Sequence, residues 1–263
     1  MPPRFSLNTV AFAQNAEDVV LLRAFAAAGI DAGFYVDAGA GHPTHGSLTW
    51  NLVHKKGWLG IDIEPQLELY EALRIDRPNN TVLQCALGEL SGEREFHQLP
   101  GNWGMSTLDD DVAERHRTSG YDIETSTVAV RTLNEVLLEA VSRDIDLLKI
   151  DVEGYEKEVL AGANLECWRP GVLVIEATAP ASNIRTHLQW EYLVLSYGYE
   201  LCLFDGLNRF YVRADHPKVE VLRHELAVPA NVFDRYVPAY WWGQLSVATR
   251  DELDPEGLLP RPA

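Results

Sequence analysis

Apolar runs of strand length recur along the chain, at residues 34–38, 58–63, 81–87, 145–150 and 171–176, separated by stretches long enough for helices. Residues 66–74 and 155–161 read as two of those helices. Residues 16–28 (AEDVVLLRAFAAA) also space their apolar positions helically, with Asn15 placed as an N-cap and Asp18 three residues on. Such alternation predicts an α/β fold with a parallel sheet covered by helices on both faces. Residues 93–98 and 126–132 alternate like exposed or edge strands, and the turn-rich PGNWGMSTLDDD between them reads as a loop or lid within 99–125. Further on, YGYELCLFDGLNRFYVRA predicts two strands around Asp205, Gly206, Leu207 and Asn208, an antiparallel hairpin at the sheet edge. The chain thus divides into an N-terminal helical segment (1–32) packing on the core, an α/β domain (33–214) and a C-terminal extension (215–263). The prolines and aromatics of that extension, among them Pro238, Tyr240, Trp241 and Trp242, read as an extended tail packed on its own subunit or on a partner.

The first strand, FYVDAGAG, runs straight into Asp37 and a turn whose glycines, Gly39 and Gly41, let a ligand lie against bare backbone. The next strand ends in Asp62, Glu64 and Pro65, placing carboxylates where a ribose presents its hydroxyls. His42 and Pro43 follow the second glycine, so the third glycine of the dinucleotide fingerprint is missing and pyrophosphate binding is disfavoured. An adenosyl cofactor without phosphates, such as S-adenosylmethionine, fits that pattern.

In DLLKIDVEGYEKEVLAGA, residues 146–163, Lys149, Asp151, Glu153 and Glu156 sit where a strand ends and a helix begins, facing the rim at which open α/β sheets bind ligands. Asp151 and Glu153 alternate with Ile150 and Val152, which puts both carboxylates on one side while the strand persists. The following strand ends at Glu176, and carboxylates ending two neighbouring strands could take Mg²⁺ or Mn²⁺, with Asp151 and Glu176 as the ligands. His42 and His45 share the rim as base or ligand candidates. In the 99–125 loop Trp103, Met105, Ser106 and Tyr121 are candidates for covering an acceptor, Trp103 by stacking on a sugar face.

Bulk properties narrow the classes. The 263 residues are 46 % hydrophobic and 23 % charged, and no apolar run approaches the roughly 20 residues that span a bilayer. The N-terminus lacks the basic region, apolar stretch and cleavage site of a secretory signal, so a cytoplasmic location is expected. With 22 basic and 39 acidic residues the net charge is −17, which argues against nucleic acid as a partner and favours a neutral or cationic substrate. Cys85, Cys167 and Cys202 are odd in number, widely spaced and set in apolar segments, predicting buried thiols rather than disulfides or a zinc site.

Taken together, AQNAEDVVLL, VDAGAGHPTHGSLT, GWLGIDIEP, LLKIDVEGYEKEVLAGA and FDGLNRFYV make residues 13–213 resemble the FkbM family of S-adenosylmethionine-dependent methyltransferases. The resemblance implies a Rossmann-like seven-stranded methyltransferase sheet, mostly parallel with a C-terminal antiparallel hairpin. It implies Asp37, Gly39 and Gly41 at the cofactor's amino-acid end, Glu64 on its ribose hydroxyls, and Cys85 and Ala86 beside the adenine, with Gln14, Ser47 and Asp62 in the cofactor-binding set. Where such families keep S-N-T after the glycine turn, this chain has Ser47, Leu48 and Thr49. The implied activity is O-methylation of a hydroxyl on a sugar, oligosaccharide or glycosylated secondary metabolite. An alcohol needs a base or a metal to lose its proton, a role that falls to Asp151 and Glu176 with Glu153 or His42. The rival readings are a nicotinamide-dependent oxidoreductase on a similar sheet and a non-catalytic cofactor-binding module; a homodimer through the aromatic tail is a further expectation.

Overall fold

The computed structural model describes residues 9–255 and 257–259. The chain opens with β1 (Thr9–Ala11), α1 (Glu17–Ala28), β2 (Phe34–Ala38), α2 (Trp50–Lys56), β3 (Leu59–Ile63), α3 (Leu67–Asp76) and β4 (Thr81–Leu83). Then come β5 (Ala86–Leu87), β6 (Gly92–Gln98), α4 (Asp110–Thr118), β7 (Glu124–Arg131), α5 (Leu133–Ala140), β8 (Leu147–Ile150), α6 (Glu156–Ala161) and α7 (Leu165–Trp168). It closes with β9 (Val172–Glu176), α8 (Glu191–Leu195), β10 (Tyr199–Phe204), β11 (Asn208–Arg213), α9 (Val219–Leu226), β12 (Tyr236–Pro238) and α10 (Val247–Leu253).

Among the described residues the strands form a seven-stranded sheet in the order β10-β11-β9-β8-β2-β3-β4, a three-stranded sheet β5-β7-β6 and the pair β1-β12. In the large sheet β9, β8, β2, β3 and β4 are mutually parallel, and β11 runs antiparallel to both β9 and β10. The alternating pleat decides which core each side chain enters. Val36, Leu148, Ile150, Leu173 and Ile175 pack with Val136, Val159 and Val194 of α5, α6 and α8. Tyr35, Leu147, Val172 and Val174 pack with Leu21, Leu52 and Leu222 of α1, α2 and α9 on the other face. No helix among the described residues is long and apolar enough to cross a membrane.

Several expectations change. Asn15 does not cap α1: the cap position is Ala16, at φ 58° with no side-chain hydrogen bond, and the backbone N–H of Asn15 instead donates to Glu17 Oε2 at 2.8 Å. The 81–87 run is two strands, because after Leu83 the chain leaves the large sheet and Ala86 and Leu87 pair with Val130 and Arg131. The 99–125 loop contains a 3-10 turn, Trp103–Met105, and α4, whose N-cap Asp109 accepts from the Val112 amide at 2.8 Å. The tail is not extended. It carries α9 and α10, and β12 lies parallel to β1. There Val10, Phe12, Trp50, Val237, Trp242 and Leu253 form their own core, with the Phe12 and Trp50 rings 4.3 Å apart. Of the three cysteines only Cys85 is buried; Cys167 is exposed on the short α7 and Cys202 is intermediate.

Candidate active site

Three strands bring one row of charge together beneath the rim. In register, Asp37 of β2 lies beside Asp62 of β3 on one side and Lys149 of β8 on the other, so all three share the face of Tyr35 and Leu147. Lys149 Nζ sits 3.1 Å from Asp37 Oδ1 and 3.5 Å from Asp151 Oδ2, and donates to the Gly39 carbonyl at 2.5 Å. Burial alone would depress this ammonium, but the carboxylates of Asp37 and Asp151 outweigh it and raise its pKa above the ordinary lysine value. Asp37 also accepts from Thr49 Oγ1 at 2.9 Å. At the far end Arg77 pairs with Asp62 and donates to Thr49 Oγ1 at 3.0 Å, Ser47 Oγ at 2.9 Å and the Pro43 carbonyl at 3.1 Å.

The glycine turn rests on this row. Gly39 takes φ 78°, and a Cβ there would lie 1.9 Å from the Asp151 carbonyl oxygen, so only glycine lets the tips of β2 and β8 approach this closely. Gly39 and Ala40 both donate to the Ile63 carbonyl at 3.0 Å, and Gly41 donates to Glu64 Oε2 at 2.9 Å. The Gln66 amide holds the other Glu64 oxygen at 2.9 Å. Burial pushes the Glu64 carboxyl up to about 7 despite those two amides.

After Ile150 the strand stops, so alternation is not what gathers the acids at its tip. Glu153 occupies the left-handed region at φ 56° and is followed by Gly154 at φ 101°, a kink that folds its carboxylate back towards Asp151 and Glu176. One oxygen from each of these three residues lies within 4.8 Å of the others. The kink is tied from two sides. Glu156 Oε1 accepts from the amides of Val152 (3.2 Å) and Gly154 (3.0 Å), and Thr107 Oγ1 donates to the Glu153 carbonyl at 2.8 Å. Burial, then the neighbouring Asp151 charge, raises the carboxyls of Glu153 and Glu176 well above the usual range. Glu176 Oε2 is buried without a hydrogen-bond partner, while Asp151 keeps 31 % of its side chain exposed.

A cavity of about 110 Å³ runs along these strand tips. Its lining includes Gln14, His42 and His45 as well as Cys85, Ala86, Phe96 and Leu108. Trp103 covers it, stacked on His42 at 5.4 Å with its carbonyl accepting from Gln66 Nε2 at 3.0 Å. Ser106 also lines it. Burial, then His45, holds the His42 imidazole below its usual range. Six expected site residues do not line this cavity. Asp37, Ser47 and Asp62 point into the charge row beneath the glycine turn, where Ser47 and Asp62 serve Arg77. Glu176 stands behind Asp151 and Glu153. Met105 lies in the 3-10 turn beside the lining Gly104, and Tyr121 packs edge-on against His116 at 5.8 Å, beyond α4. Arg77, Tyr35 and Asn80 were not foreseen: nothing in the spacing marks an arginine after α3 as the counter-ion of a residue on β3, whereas a buried polar residue on a central strand is itself a sign that a partner exists.

These acids give folding a pH dependence. Burial raises Glu17, Glu64 and Glu156 to about 7 and Asp18 to about 6. The folded chain therefore keeps protons that the unfolded chain has released, and stability declines as pH climbs towards the folded values. Histidines 42, 116, 187 and 216, lowered by burial from 6.5, act in the opposite sense, an effect that fades as pH rises past 6.5. Between about pH 6.5 and 8 the raised carboxyls, Glu153 and Glu176 among them, outweigh the histidines, so the melting temperature should fall across that interval. Calorimetric scans in chelator-containing buffers would show it, and a flat or rising melting temperature would contradict these protonation states.

After the glycine turn the chain runs on to Trp50 before α2 begins, so no helix N-terminus meets the turn as a phosphate cradle would require. The model of the methyltransferase FkbM domain matches residues 37–201. Among solved structures the chain is similar to a TehB-like SAM-dependent methyltransferase from Corynebacterium glutamicum ATCC 13032 Kitasato, at 13 % identity and a TM-score of 0.38, over 75 % of this chain and 87 % of that one. A search of curated proteins found no match.

Proposed function

The chain belongs to the FkbM methyltransferase family and is an S-adenosylmethionine-dependent methyltransferase; from that premise we propose that it methylates a hydroxyl of a sugar-bearing or other polyhydroxylated acceptor at the Asp151 end of the cavity. The observation that carries the reading is Glu64: a buried carboxylate with each oxygen anchored by a backbone amide, next to a glycine turn that a Cβ would fill. A carboxylate so fixed suits the paired hydroxyls of a ribose. The apolar wall of Ala86, Phe96 and Leu108 suits an adenine, and Gly39, Gly41 and Gln14 suit the amino-acid end. When bound, the cofactor supplies an electrophilic methyl carbon on a sulfonium, whose sulfur leaves with the C–S bonding pair as S-adenosylhomocysteine.

The protein's own part is to aim the acceptor oxygen and take its proton. Asp151 is the group for that: it lines the cavity beside Glu153, with Glu176 behind them, and keeps 31 % of its side chain exposed. Lys149 fixes its orientation. A second reading of the same cluster is a site for Mg²⁺ or Mn²⁺, favoured by the gathered oxygens and by the orphaned Glu176 Oε2, which would acidify the hydroxyl instead. Turnover with and without chelator separates the two.

The cofactor assignment is tested by calorimetry. S-adenosylhomocysteine should bind and NAD should not. Glu64→Ala should weaken S-adenosylhomocysteine by roughly 10- to 100-fold, the value of charge-assisted hydrogen bonds lost at a buried site. Unchanged affinity would remove Glu64 from the ribose.

A further inference from the structure

A second cavity, of about 690 Å³, lies beyond the first, and the two share Gln14, His45 and Gly46 as a common wall. It therefore adjoins the first cavity. The glycine-rich loop divides them, with Gly39 and Gly41 facing the first cavity and Thr44 facing the second. Apart from Thr44, His45 and Gly46, its walls come from residues 10–16, Asp205 and the tail from Tyr236 to Leu259, all outside the segment that the family model matches. Phe12, Tyr236, Tyr240 and Trp242 line it with aromatic side chains, and Asn15 and Asp205 with hydrogen-bonding ones. Asp205 is held by the hairpin, its Oδ1 accepting from the amides of Leu207 (2.8 Å) and Asn208 (2.7 Å).

We propose that this second cavity is the acceptor site, and that it takes a neutral, polyhydroxylated ring of the glycoside class, whose reacting hydroxyl passes Gln14 to reach Asp151. The inference rests on the methyl-transfer reading above and adds where the acceptor sits and what recognises it. The chemistry of the walls selects the occupant. A sugar ring offers a flat C–H face for the aromatics and hydroxyls for Asn15 and Asp205, whereas a phosphorylated or carboxylated acceptor would meet a protein of net charge −17 and the Asp205 carboxylate. The volume falls within the few hundred to about a thousand Å³ of ligand pockets, enough for more than one ring. Tyr236, Tyr240 and Trp242 lie outside the segment that the family model matches.

The test titrates p-nitrophenyl and methyl glycosides of the common pyranoses into the full-length protein saturated with S-adenosylhomocysteine. Wild type is compared with Tyr240→Ala and Asp205→Asn. Tyr240 is 76 % exposed, so its removal spares the fold, and asparagine at 205 keeps the oxygen that anchors the hairpin. At least one glycoside should bind, and each variant should weaken it by about fivefold or more with S-adenosylhomocysteine affinity unchanged. Glycoside binding that neither variant alters overturns the location. Binding of no glycoside, while S-adenosylhomocysteine still binds, overturns the occupant and leaves the methyltransferase reading standing; failure of S-adenosylhomocysteine itself to bind refutes that reading instead.

Discussion

Arg77→Met is expected to remove about 3–5 kcal/mol of folding stability, read as a lower urea midpoint. Neither Arg77 nor Asp62 has exposed side-chain surface, and the arginine is the cation that faces that carboxylate. Methionine fills much of the volume but leaves Asp62 with only the Tyr35 hydroxyl at 3.0 Å and the Asn80 amide at 3.3 Å. It also releases Ser47, Thr49 and the Pro43 carbonyl, so the loop that carries the glycine turn loses its floor. A second substitution, Asp62→Leu, on top of the first should recover part of the loss, because an apolar pair avoids the stranded charge. A single variant within about 0.5 kcal/mol of wild type would mean that water reaches Asp62 and that the row is not a closed network.

The other large effect is on turnover. Asp151→Asn is expected to lower kcat by about 10²- to 10⁴-fold, the usual worth of a positioned general base, while S-adenosylhomocysteine affinity stays near wild type. Asparagine preserves the shape of the residue, its carbonyl against Gly39 and its amide donating to Ala38 at 3.0 Å. What it removes is the charge beside Lys149, and Asp37 remains to hold that lysine. Should kcat survive at the wild-type level, the proton goes elsewhere, with His42, His45 and Glu153 among the other groups on the cavity wall.

The parallel strands, the hairpin and the glycine turn were legible because each rests on a local pattern. Near-continuous apolar runs mark β2, β8 and β9, and Asp205 with Gly206 marks the turn between β10 and β11. Glu64 was legible for a similar reason: a strand tip places it, whatever the rest of the chain does. Asp62 and Ser47 misled because an acid or a hydroxyl near a rim reads the same whether it faces ligand or core, and the deciding partner, Arg77, stands outside any local pattern. The gathering of Asp151, Glu153 and Glu176 was anticipated on the wrong ground. It comes from a left-handed kink at Glu153, which a non-glycine residue seldom adopts and which spacing does not reveal. Likewise α4 and the structured tail escaped detection, since α4 is mostly polar and the tail is stabilised by Phe12 and Trp50 from elsewhere in the chain.

The pairing of β1 with β12 also orders events during synthesis. Among the described residues, the strand partners of Thr9, Val10 and Ala11 are Tyr236, Val237 and Pro238. A ribosome delivers the first trio long before the second, so the central layers can settle on the nascent polypeptide while the aromatic cleft stays unassembled until the last stretch emerges. Under the proposed assignment, a truncated translation product would keep the donor compartment and lack the aromatic one, holding a methyl donor with no ordered acceptor beside it.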